Sequence, residues 1–93
     1  MHNDINFLDA YVLKRMQANP NRSLSAMFRN LRMKVPLIGD YPVMMHIIRV
    51  CKANGYKFTK NQLYQACRSS RDYKEDPQKS NWLVVFQNVF EGV

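Results

Sequence analysis

Lys60, Tyr64 and Arg68 stand four residues apart in "TKNQLYQACRSSR", and Arg71 closes the stretch. Residues at that spacing share one face of a helix. A face carrying ammonium, phenol and guanidinium groups suits phosphate oxygens together with a flat ring. Arg22, Arg29 and Arg32 form a second acid-free strip earlier in the chain. Guanidinium matches phosphate in both charge and geometry. The two strips therefore lead us to expect contact with the backbone of DNA or RNA. Arg22, Arg29, Arg32, Lys60, Arg68 and Arg71 are the expected phosphate partners, and Tyr64 is the expected stacking platform. Gln62 and Gln65 are candidates for reaching base edges. Binding through two strips of this kind would be sequence-independent or guided by shape, and would weaken steeply with salt.

The charge distribution points the same way. Formal net charge is +7 over 93 residues, and the isoelectric point is about 9.7. Between Tyr11 and Arg71 one acid, Asp40, stands against twelve bases, while the other acids lie towards the ends. A middle of one sign implies a polyanionic partner or an acidic protein surface. A solvated face that serves solubility is the plainer alternative, although mixed signs would serve that purpose equally well.

Other chemistries lack their residues. The three glycines, Gly39, Gly55 and Gly92, form no phosphate-binding loop. His2 and His46 are the only histidines, and a His46–Cys51–Cys67 set matches no standard zinc spacing. His46 and Cys51 lie about 140° apart around a helix, too far round to act as a nucleophile–base pair. His46 instead reads as a boundary residue. The chain is thus expected to be non-enzymatic, with no metal and no cofactor. The two cysteines are too few for a disulfide framework and read as buried thiols in a reducing compartment. No apolar run approaches the roughly 18 residues that span a membrane, and the first residues include Asp4 and Asp9 rather than a secretory signal. A cytoplasmic location is expected.

The elements that position these groups are read as helices. The first runs from Asn3 or Asp4 to Ala18, with Ile5, Leu8, Val12 and Met16 at helical spacing, and is stopped at Asn19-Pro20. Ser23 caps a second helix, reaching about Lys34, with a wholly cationic outer face. After the loop "VPLIGDYP", Asp40 caps a third helix that carries Pro42 in its first turn and closes at Gly55. Thr59 caps a fourth helix, to about Arg71, with Phe58 and Leu63 as a hydrophobic staple. Residues 72–80 read as a linker. Ser80 or Asn81 then caps a last helix whose stripe of Trp82, Val85, Phe86, Val89 and Phe90 must pack into the core or against a partner.

The stretch "MMHIIRVCKANGYKFTKNQLYQA", residues 44–66, resembles the signature of the nitrogen-fixation-type leader-peptide domain. Cys51, Gly55, Tyr56, Phe58, Thr59 and Leu63 fall on that outline. "FLDAYVLKRMQANPNRSL" is loosely similar to the opening helix of the same family, through Phe7, Leu8 and Leu13. The resemblance implies a small helical unit recognised by a partner, with local helix-turn-helix geometry. In the family that partner is a modifying enzyme acting on a peptide that is later cleaved. This chain is basic where such leaders tend to be acidic, and it has no Gly-Gly pair.

The expectation is a single all-α domain over residues 1–93, a compact bundle of four to five short helices with a helix-turn-helix-like pair. Its expected role is nucleic-acid backbone binding, alone or as a subunit of a larger complex. The alternatives are a protein-interaction module, such as a small inhibitor or adaptor on an acidic partner, and a leader-like substrate domain.

Overall fold

Helix boundaries in the computed structural model, which describes residues 8–70, 72–73 and 82–91, fall where local hydrogen-bonding groups can satisfy the chain ends. Among the described residues there are five helices and no strand. They are α1 (Asp9–Ala18), α2 (Leu24–Arg32), α3 (Asp40–Ala53), α4 (Lys60–Arg68) and α5 (Trp82–Phe90). The expected all-α class holds.

The caps explain most of these limits. Ser23 Oγ accepts the Ala26 backbone N–H at 3.1 Å and starts α2. Thr59 and Gln62 form a reciprocal capping box at α4, with bonds of 3.2 and 2.8 Å. At the end of α3, Gly55 takes a φ of 84°, which an L side chain rarely adopts. The N–H groups of Gly55 and Tyr56 then bond the carbonyls of Lys52 and Cys51, at 3.1 and 2.9 Å, in a Schellman closure.

Several boundaries differ from those read in the sequence. The expected start of the first helix near Asn3 lies outside the described residues; the described helix begins at Asp9. Helix α2 stops at Arg32, two residues early, as Lys34 N–H turns back to the Leu31 carbonyl at 2.9 Å. Helix α4 stops at Arg68, because the N–H groups of Ser69 and Ser70 take the i−3 carbonyls of Ala66 and Cys67. Asp40 does not cap α3. Gly39 occupies the cap position, and the Asp40 carboxylate reaches elsewhere in the fold. The expected linker begins instead with helical residues, Asp72 and Tyr73, and the Tyr73 ring lies 5.7 Å from that of Trp82. Residues 74–80 and the Ser80 or Asn81 cap lie outside the described residues.

Packing follows from the apolar stripes. Helix α2 lies on α4, α1 lies on α3, and α5 closes against both α3 and α4. Phe86 is fully buried and Trp82 nearly so, which places the α5 stripe in the core. The Tyr41 ring of α3 stacks on Phe86 at 5.5 Å, and Phe58 meets Phe90 edge-on at 5.7 Å. Each such burial contributes roughly 1.5–3 kcal/mol, so removing α5 would open the core. The helix-turn-helix pairing of α3 with α4 is not confirmed, since α4 rests chiefly on α2 and α5. No helix among the described residues is long and apolar enough to cross a membrane.

Candidate nucleic-acid interface

Helix α4 turns Leu63, Ala66 and Cys67 into the core. The period of 3.6 residues then leaves Lys60, Tyr64 and Arg68 on the outside, and all three are exposed. Lys60 and Arg68 stand about 12 Å apart along the axis at 1.5 Å per residue. Between them Tyr64 is 39% exposed. The Arg68 guanidinium lies over that ring, 5.6 Å from its centroid. A cation in the last turn of α4 is also favoured by the partial negative charge of the helix end.

The second strip is divided. Arg29 is exposed in the last turn of α2. Arg32 is half-buried and turned inward, its guanidinium 5.1 Å over the buried Phe28 ring. Its Nη1 donates to the Ser69 carbonyl at 3.5 Å and lies 4.0 Å from Asp40 Oδ2. That contact joins the C-terminal ends of α2 and α4, so Arg29 and Arg68 stand at the same end of the helix pair. Arg22 is half-buried just before the α2 cap, with its Nε enclosed and unpartnered. Arg71 lies outside the described residues. Of the expected set, the fold thus lines up Lys60, Tyr64 and Arg68 on α4, leaves Arg29 exposed at the end of α2, diverts Arg32, and leaves Arg22 at the other end of α2.

Asp40 explains the diversion. It accepts the Ser70 hydroxyl at 2.7 Å, and Ser70 is fully buried. Ser70 Oγ accepts in turn the Asp72 N–H at 3.2 Å. The lone acid of the basic middle therefore clasps the start of α3 to the segment after α4 and draws Arg32 towards it.

A basic corner went unread in the sequence. Lys34 Nζ and the Arg15 guanidinium lie 4.8 and 5.4 Å from the Tyr11 centroid. The four-residue spacing of Tyr11 and Arg15 was a local signal. The approach of Lys34 depends on where the end of α2 comes to rest. Asn61 and Leu83 were also missed; they line an apolar groove with Lys60 and Tyr64.

The remaining polar groups have simpler parts. His46 Nε2 lies 2.6 Å from Asp9 Oδ1, across the α1–α3 contact, close but not aligned as a hydrogen bond. Cys51 and Cys67 are free thiols, and burial pushes each up to about 11 from an ordinary value of 9.0. They stay protonated at neutral pH and so are poor nucleophiles. Among the described residues, no cluster of three or more His, Cys, Asp or Glu side chains could hold a metal ion. Nor does any carboxylate among them pair with Arg29, Lys60 or Arg68. No protein family, curated protein or solved structure matches the chain.

Proposed function

We propose that the chain is a small non-enzymatic protein that binds the backbone of DNA or RNA, alone or as a basic subunit of a nucleoprotein assembly in a reducing, cytoplasmic setting. One observation carries the reading. Lys60, Tyr64 and Arg68 form an exposed row on α4, with no described carboxylate paired to it. A row about 12 Å long, with no described carboxylate paired to it, spans several phosphates at 3.4 Å per strand step. Binding rests on release of counterions, so it carries a steep salt dependence. The test is fluorescence anisotropy with random-sequence DNA and RNA across a salt series. Affinity should fall linearly on a log–log plot with a slope of about −2 to −4. Undetectable binding of both nucleic acids at low salt overturns the reading.

A second reading, a protein-interaction module, draws on a different surface. Met33 and Leu37 are 79% and 72% exposed, and Met33 lines a groove with Pro36 and Ile38. Capture from the native host with and without nuclease separates the two. Partners lost on nuclease treatment support the nucleic-acid reading, and partners that survive it support the protein module.

A further inference from the structure

We infer that the α4–α5 junction is a pocket for an unpaired nucleobase, so that the protein prefers single-stranded nucleic acid over duplex. The inference rests on the backbone-binding reading above and adds a mode of recognition to it.

The groove there measures about 480 Å³ and is lined by Lys60, Asn61, Tyr64 and Leu83. Its lining surface is predominantly apolar, although Lys60 borders it and the Arg68 guanidinium lies over the Tyr64 ring. That combination fits a nucleotide in detail. A base presents a flat apolar face, which gains by covering Tyr64 and Leu83. Its phosphate presents charge, which Lys60 and Arg68 meet. Its edge presents donors and acceptors, which the Asn61 amide can pair with in either sense. Arg68 covers one face of the Tyr64 ring, so a base takes the other.

The alternatives fit less well. A second copy of the chain would bring Lys60 and Arg68 against like charges across a symmetric contact. A duplex offers phosphates but keeps its bases stacked and paired, and extruding one carries a penalty. A strand with unpaired bases satisfies the cations and the apolar floor together.

The experiment uses the full chain, fluorescein-labelled oligothymidylate, a mixed-sequence duplex of equal length, and a poly-glutamate peptide of matched charge. The wild type should bind the single strand roughly tenfold more tightly than the duplex. Tyr64→Ala should remove that preference, lowering affinity for the single strand about tenfold more than affinity for the duplex, while Tyr64→Phe should keep it. Far-UV circular dichroism and Trp82 fluorescence establish that each variant is folded. Equal affinity for strand and duplex, with a normal salt slope, overturns the base pocket and spares the backbone reading. Loss of both nucleic-acid interactions at low salt overturns both. Poly-glutamate binding as tight as the single strand, and equally weakened by Tyr64→Ala, overturns the base pocket in favour of an acidic protein ligand.

Discussion

Arg32 and Arg68 begin from the same local design. Each is the last residue of its helix, and each follows an aromatic residue by four positions and lies over that ring, Phe28 at 5.1 Å and Tyr64 at 5.6 Å. Their surroundings then separate them. Phe28 is fully buried and Tyr64 is exposed. Asp40 and the Ser69 carbonyl hold the Arg32 side chain, and no described carboxylate pairs with that of Arg68. One aromatic–arginine pair thus fastens helices together, and the other is displayed. A cation counts towards a binding surface only when the fold puts no acid within reach.

The inner side of α4 offers the largest test of this contrast, because Cys67 turns inward immediately before Arg68 turns out. Both thiols are held protonated in the fold, at about 11, against 9.0 in the unfolded chain. The folded state binds more protons than the unfolded state between these values. The thiol contribution is therefore complete below pH 9 and is lost as pH rises towards 11. Urea titrations over that range should show a loss on the order of 2 kcal/mol per thiol. A Cys51→Ala/Cys67→Ala double variant should flatten the slope; an unchanged slope would assign the effect to other groups.

Breaking the clasp comes next. Asp40→Ala leaves the buried Ser70 hydroxyl without its acceptor and Arg32 without its carboxylate, at a cost of about 1–3 kcal/mol. The urea midpoint should fall with no change in m. A neutral result would mean that Arg32 is no more tied down than Arg68.

Thr59→Ala removes the capping box that starts the displayed row, costing about 1 kcal/mol. Thermal unfolding reads that loss, and affinity for nucleic acid should change little while the chain stays folded. The smallest stability effect separates the two arginines directly. Arg68→Ala should stay within about 0.5 kcal/mol of wild type, while the salt slope of binding falls by about 0.7–0.9. Arg32→Ala should do the reverse, losing about 1 kcal/mol with little change in slope. If the two variants behave alike, the distinction between fastening and display fails.

The helices were legible because their signals are local. Ser23, Thr59 and Gly55 each act within a few residues, and all three operate as expected; Gln62, read only as a candidate for base edges, turns back to close the Thr59 cap. The outward stripe of α4 was legible for the same reason. Asp40 was misread because its sequence context, just ahead of Pro42, is that of a cap. Its actual partner, Ser70, comes from another part of the chain. The cationic face of α2 was over-read, since helical periodicity shows that Arg32 leaves the apolar stripe but not what it meets. Leu83 carried no signal as a groove wall, because it lies off the main stripe of α5.

Alternating apolar and cationic residues, set between strong caps, determined by themselves that this chain forms short amphipathic helices with most positive charge turned outward. Those choices are settled by hydrogen bonds and periodicity over a turn or two. Which cations are displayed, and the groove between α4 and α5, were decided only when the helices packed. Both depend on groups distant in sequence meeting at a few ångströms, where one carboxylate or one leucine changes what a neighbouring side chain can do.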